Sequence, residues 1–448
     1  MLRSRRLVAA LASALAIPAF SLAQTVVPAQ MPTTAIPTQL PMTTPAPMVT
    51  VPAAPTAPAA PTAVPAPVVM DAPVMTEAPA EEPAAEDKFL VEKILGSTAG
   101  GARLLENGWR VYGWTQTSYT TGSVRNTTAP VPFIQRVDKF TMNQNWLHVE
   151  KGIDTSKQEF QIGGAVDLIL PGTDAGFTLS RGLLQDQVGK TYPIDLFQAY
   201  VDVFAPGVGP QGTTFRFGKF ATFLEYEVVQ GISNPFLSRS YLFQFNPFTH
   251  TGALAITPLS DDVTVQNGLV LGNDNFIDPA NRLTYIGQIK WAPKDGKSSI
   301  ALGTSITNPR FDPVENFAYY NVYNLQFTHK LTDKLQYVLD ASYSHMDNVA
   351  DLNGNTTSAN WYGFVNYLFY TINDKWQANG RLEFFEDSKG IRTGTAGLYT
   401  AVTGGLTWKP APWLHVMPEV RYDNNSRGMP FEGKRDMFTA SIGSIIRW

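Results

Sequence analysis

The sequence predicts an all-β fold: a transmembrane antiparallel β-barrel of about sixteen strands, preceded by a disordered Pro/Ala-rich arm. Three observations predict it. In Met437–Trp448, Phe438, Ala440, Ile442, Ser444, Ile446 and Trp448 fall on one face and Thr439, Ser441, Gly443 and Arg447 on the other, so the chain ends on an aromatic with a period of two. The same period recurs upstream as far as Gly108. The connections between these segments alternate short and long, as they do when turns of one parity share one side of a membrane.

The elements follow in order. Arg3, Arg5 and Arg6, the apolar run Leu7–Phe20 and the small residues Ser21 and Ala23 before Gln24 read as a secretory signal peptide over 1–23. A membrane anchor is the alternative, but the run is shorter than the ~20 residues a spanning helix needs. Residues 24–87 form an arm of Pro, Ala, Thr, Val and Met in which proline removes backbone donors and fixes φ. The arm ends in Glu77, Glu81, Glu82, Glu86 and Asp87, and reads either as a periplasmic spacer reaching the cell wall or as a plain disordered tail. Residues 88–107 carry Phe89, Leu90, Val91, Ile94, Leu95, Leu104 and Leu105, a short amphipathic helix interrupted at Gly96 and Gly100-Gly101, placed at the barrel mouth or in the lumen.

The barrel occupies 108–448, with strands starting near residues 108, 140, 159, 194, 213, 252, 263, 282, 298, 321, 334, 358, 375, 397, 412 and 436. Trp376, Ala378, Gly380, Leu382 and Phe384 oppose Gln377, Asn379, Arg381 and Glu383, and two further segments, 160–170 and 414–423, alternate as cleanly. Short turns are expected near 154–157, 205–212, 259–261, 293–297, 332–333, 373–374 and 410–412. Long loops are expected near 120–139, 171–193, 219–251, 273–281, 308–320, 346–357, 387–396 and 424–435. Trp109, Trp291, Trp376, Trp408, Trp413 and Trp448 all lie beside a short turn or a barrel terminus, which predicts an aromatic belt at one membrane interface.

Composition narrows the function. The net charge of −4 and the absence of a basic block argue against nucleic acid. With no cysteine there is no disulfide framework and no thiolate metal site. Mean hydropathy is −0.10, as expected when half of each strand faces a polar lumen. Nothing implies a cofactor or a metal.

The chain resembles the OmpL-like β-barrel porins of bacterial outer membranes over roughly 90–448. The resemblance rests on Gly113-Trp114 followed by Thr121-Gly122-Ser123-Val124-Arg125-Asn126, and on the series Gly218-Lys219-Phe220, Glu227, Asn234-Pro235, Ser238-Arg239-Ser240 and Pro247-Phe248-Thr249-His250-Thr251-Gly252. It implies an outer-membrane barrel acting as a pore, without a defined solute.

Alternation places Asp167, Asp202, Arg216, Lys290, Asp340, Arg381, Glu383, Glu419, Arg421, Asp423 and Arg447 on the lumen side. They either create a transverse field that selects solutes or pair across strands on a wet wall. The loop 219–251 is rich in aromatics and carries Glu225, Glu227 and Arg239. Such a loop either folds into the lumen, placing those three charges at a constriction, or packs over the mouth or a neighbouring subunit. Of the five histidines none has zincin spacing, and no GxSxG is present; His329 is the one faint candidate for enzymatic chemistry.

The expected function is passive diffusion of small hydrophilic solutes or ions across the outer membrane, with a structural or adhesive barrel tied to the cell wall as the alternative. Expected partners are outer-membrane lipid, the barrel-assembly machinery through the last strand, a homotrimer by fold-level analogy and the cell wall through 24–87. Barrel charges nearly cancel, so net charge alone predicts no strong ion preference.

Overall fold

A computed structural model describes residues 89–277, 282–309, 318–350 and 355–448. The expected signal peptide (1–23) and the Pro/Ala-rich arm (24–87) lie outside the described residues.

Sixteen strands form the wall: β1 (Trp109–Gly122), β2 (Lys139–Lys151), β3 (Gln161–Leu170), β4 (Asp195–Ala205), β5 (Thr213–Ala221), β6 (Thr249–Ser260), β7 (Val263–Val270), β8 (Thr284–Trp291), β9 (Ser298–Ile306), β10 (Asn321–Lys330), β11 (Leu335–Ala350), β12 (Thr356–Asn373), β13 (Trp376–Asp387), β14 (Gly397–Ala411), β15 (Leu414–Asn425) and β16 (Asp436–Arg447). Each pairs antiparallel with its sequence neighbours, and β1 pairs with β16, so the sheet closes and leaves no edge. At the seam the Trp448 N–H donates to Gly113 O and the Gly113 N–H to Trp448 O, both at 2.9 Å.

The alternation read in the sequence is the alternation of burial. On β16, Phe438, Ile442 and Ile446 point outward and are exposed, while Met437, Thr439, Ser441 and Ile445 point inward and are buried. The largest displacement of a strand start is at β6, expected at 252 and found at Thr249.

Two expectations are corrected. Short and long connections do not alternate in length without exception. β11 and β12 run to Ala350 and from Thr356, leaving only positions 351–355 between them, whereas the turn side carries a longer connection at 152–160. Residues 346–350 and 356–357 continue the hairpin, paired as Val349↔Thr357 and Ala350↔Thr356 beyond a bulge. The helical segment is also two helices, α1 (Leu90–Gly96) and α2 (Ala99–Glu106). The break falls at Ser97-Thr98, not at the glycines. The Ser97 and Thr98 hydroxyls donate to Ile94 O and Leu95 O, and Thr98 accepts from Gly101 N–H to cap α2. Gly101 lies inside α2, and only glycine fits there because a Cβ would lie 2.2 Å from Leu95 O.

These helices sit at the turn-side mouth. The Phe89 ring stacks on Tyr112 at 4.3 Å and lies under the Arg447 guanidinium at 4.2 Å. Glu92 pairs with Arg110 at 2.9 Å. Between mouth and lumen, the structure puts the segment at the mouth.

Three loops on the opposite side matter below: L1 (123–138), L2 (171–194), which contains the one-turn helix α3 (Ala175–Thr178), and L3 (222–248), which contains α4 (Tyr241–Phe245).

A loop strapped across the lumen

L3 leaves β5 and turns into the barrel. Every residue from Thr222 to Phe248 except Ile232 is buried. The local reason is composition: Phe223, Leu224, Tyr226, Val228, Val229, Phe236, Leu237, Tyr241, Phe243, Phe245 and Phe248 would expose a large apolar surface in water. The exit is shaped by Gly218 and Gly252, which pair across β5 and β6. At Gly218 φ is +131°, and a Cβ would lie 2.3 Å from Ala199 O.

The loop is received by small residues on distant walls. A Cβ at Gly303 on β9 would meet Leu224 Cδ2 at 2.7 Å, and one at Gly443 on β16 would meet Leu237 Cδ2 at 2.5 Å. Its backbone is held by wall side chains, as buried polar groups require. Asp340 accepts from Tyr226 N–H at 2.8 Å, Glu383 from Tyr241 N–H at 2.9 Å, and Glu419 from Leu237 N–H at 2.7 Å and from the Ser238 hydroxyl. Gln288 and Gln326 donate to Phe223 O, Trp361 Nε1 donates to Phe245 O, and Gln144 donates to Val229 O while accepting from Gly231 N–H. L1 and L2 close over the strap through an aromatic cluster in which Phe133 stacks on Phe177 at 4.9 Å and touches Phe243 and Phe248.

The three charges of L3 singled out in the sequence are all inside. Glu227 accepts from Ser240 N–H at 2.6 Å and pairs with Arg381 at 2.5 Å. Arg239 donates to the carbonyls of Val228, Phe236, Leu237 and Val229, tying the turns of the loop together. Glu225 accepts from the Asn246 amide, and burial followed by the charge of Asp340 pushes its carboxyl well above the usual carboxylate range. Each thus sits in a contact that seats the loop.

The expected lumen residues all lie on the inward register, and all but the half-buried Arg447 are buried. They pair locally. Arg216 makes a bidentate pair with Asp202 at 2.8 and 2.6 Å and lies 3.6 Å from the Tyr200 ring centroid. Arg381 and Arg421 share Glu383 at 2.8 and 2.9 Å, and Arg421 also reaches Asp423 at 2.8 Å. Asp167 accepts from Trp146 Nε1 at 2.7 Å and from the Gln198 amide, and lies 2.6 Å from His148 Nδ1. Lys290 is turned inward on β8, and Arg447 reaches Pro412 O at the mouth. The strong acids and bases of β13 and β15 are neighbours on one wall, not opposed ladders.

Trp109, Trp291, Trp376, Trp408, Trp413 and Trp448 stand partly or well exposed at the turn-side rim, with Trp376 and Trp408 stacked at 5.3 Å. Trp114, Trp146 and Trp361 do the opposite: they are buried in the lumen, and Trp361 reaches L3 directly. Sequence reasoning did not single them out as lumen residues. The available signal was register, since Trp114 shares a face with Gln116, Ser118 and Thr120. His329 stands on the outward face of β10 with Nδ1 2.8 Å from Ser298 Oγ, and no carboxylate among the described residues orients it.

A closed sixteen-strand barrel with an apolar outer face and a polar lumen crossed by an inward loop belongs to the class of outer-membrane channels. Residues 109–446 match the family described as "Putative beta-barrel porin-2, OmpL-like", and the chain belongs to that family, one of channels rather than enzymes. It is an outer-membrane porin. Among solved structures it is similar to OprB of Pseudomonas putida (11% identity, TM-score 0.51, covering 79% of this chain and 97% of that one). It is also similar to the outer membrane channel DcaP of Acinetobacter baumannii (9%, 0.50, 76% and 97%) and to an anion-selective porin from Comamonas acidovorans (8%, 0.50, 76% and 99%). At these identities the likeness is one of fold. No curated relative matches the chain.

Proposed function

We propose that the barrel passes small hydrophilic solutes or ions by passive diffusion, with L3 setting the aperture and Glu225, Glu227 and Arg239 holding that constriction in place. The observation that carries this is the strap itself: a buried loop pinned to β11, β13 and β15 across a lumen whose wall register is polar. Single-channel recording of the purified protein in a planar bilayer tests it. Discrete steps are expected, and a salt gradient gives the ion preference. A folded, inserted barrel that stays silent would overturn the open-pore reading. In E225Q/E227Q the step size and the reversal potential should both shift; no change in either would remove these residues from the constriction.

Turns inside and loops outside would put α1, and the arm that precedes it, in the periplasm; the anchoring of Phe89 and Glu92 at the turn-side mouth supports that side. The terminal strand, locked into the seam by Trp448, is the segment we assign to the barrel-assembly machinery. For the Ser298–His329 pair we propose no catalytic role, because nothing charged among the described residues orients the imidazole.

A homotrimer is supported by a gap in the outer belt. Outward tyrosines and tryptophans run from Tyr285 and Trp291 on β8 through β16 to Trp109 and Tyr119 on β1. Strands β2–β7 carry none outward; their outer face mixes alanines such as Ala199, Ala205, Ala253 and Ala255 with exposed Phe140, Ile162, Val201, Phe217 and Leu269, an apolar surface without interfacial anchors. Lipid headgroups select the aromatic arc, and a subunit contact would cover the other. Analytical ultracentrifugation in detergent should give three protomers per particle; a monomer would refute it.

A further inference from the structure

On the turn side of L3 the lumen keeps a cavity of about 280 Å³. Its inner end is the L3 segment Ile232–Pro235, and its walls come from the turn-side ends of β10–β15. The charges on this lining are Lys330, Lys334 and Lys409 against Asp333, three positive and one negative, beside His415.

These groups differ from the other lumen charges in being unspent. Among the described residues, neither the Lys330 nor the Lys409 ammonium makes an ion pair, and Lys334 reaches only Ile372 O at 3.5 Å. Gln336 is 8% exposed, lines the same cavity, and its Nε2 has no acceptor among the described residues. An amide nitrogen can only donate, and a buried donor left without an acceptor is costly. The site therefore offers donors and positive charge to something that brings acceptors and negative charge.

We propose that this vestibule is a binding site for a small oxyanion, a solute bearing carboxylate or phosphate oxygens, held by Lys330, Lys409 and Gln336. Carboxylate or phosphate oxygens take charge-assisted hydrogen bonds from the ammonium groups and the amide of this lining, which a neutral solute cannot do. The placement of the site on a solute path rests on the pore reading above; the binding itself does not.

Calorimetry on the full-length, detergent-folded protein tests it, with succinate and inorganic phosphate as separate probes at low ionic strength. Saturable binding of at least one probe is expected. Lys409→Gln should weaken it about tenfold, the worth of one charge-assisted hydrogen bond, and K330Q/K409Q should abolish it. Absence of saturable heat with both probes overturns the proposal, as does unchanged affinity in K330Q/K409Q. Should that double variant not fold, Gln336→Met removes the donor at similar volume, and unchanged affinity there overturns the proposal equally. Bilayer recording separates the two readings. A silent barrel that binds succinate or phosphate loses the pore and keeps the site, while a conducting barrel that binds neither probe loses the site alone.

Discussion

The two halves of the lumen treat charge in opposite ways. Around L3, Arg381, Arg421, Glu227, Glu383, Glu419 and Asp423 are fully enclosed and bonded to one another or to loop backbone. In the turn-side vestibule, Lys330 and Lys409 line open space and make no ion pair among the described residues. The difference teaches that a lumen-facing charge can have either of two roles. Where the loop covers it, it is consumed in fixing geometry; where water still reaches, it is left to meet a solute.

The largest expected break in this comparison is Arg381→Ala. It strips Glu227 of its ion-pair partner in an enclosed site and leaves Glu383 to Arg421 alone, at a cost of about 3–5 kcal/mol. Thermal loss of heat-modifiable gel mobility should come markedly earlier, and open-channel noise should rise as L3 loosens. Gly443→Leu is next. Its Cβ would meet Leu237 Cδ2 at 2.5 Å and the Thr117 carbonyl oxygen on β1 at 2.8 Å, so it should cost about 1–3 kcal/mol shared between loop seating and the β1–β16 seam, read as larger or unstable current steps.

A smaller effect is set by pH. Asp274, in the loop after β7, accepts from Phe248 N–H and Thr249 N–H at 2.7 Å, and burial pushes its carboxyl up to about 8. A raised pKa means the folded state binds the proton more tightly. The stability it contributes is therefore fully present below the ordinary carboxylate value and lost as pH rises through about 8. Channel noise should increase from neutral to alkaline pH, and Asp274→Asn should flatten that dependence. The smallest effect sharpens the contrast from the vestibule side. Lys409→Gln should move stability by no more than about 0.5 kcal/mol, because no partner is stranded; a drop as large as that of Arg381→Ala would end the distinction.

Much of the fold was legible because strand alternation is local. Gln377, Asn379, Arg381 and Glu383 betray their face to anyone reading two residues ahead, and the inward charges Arg381, Glu383, Glu419, Arg421 and Asp423 were placed from that alone, while the buried Asp387 at the end of β13 was assigned to a loop. What the charges do was not legible. Whether Glu383 selects ions or caps the Tyr241 N–H depends on where a loop some 140 positions away comes to rest. The inward tryptophans were hidden for a related reason. An indole facing a lumen is unfavourable in water and favourable only under a cover such as L3, so its register carried less weight than its residue type. The vestibule escaped notice because Lys330 and Gln336 come from the β10–β11 hairpin and Lys409 and His415 from the β14–β15 hairpin, so their common cavity follows from how the wall curves and not from either hairpin alone.

The strap has a mechanical consequence as well. A bare barrel is a hoop whose cross-section can flatten when the surrounding bilayer is stretched or compressed. L3 touches β2, β9, β12, β13, β15 and β16, contacts spread around the circumference, and so acts as an internal cross-brace. A braced hoop keeps its outline, so the bore of this barrel should hold constant across bilayers of different thickness and lateral tension.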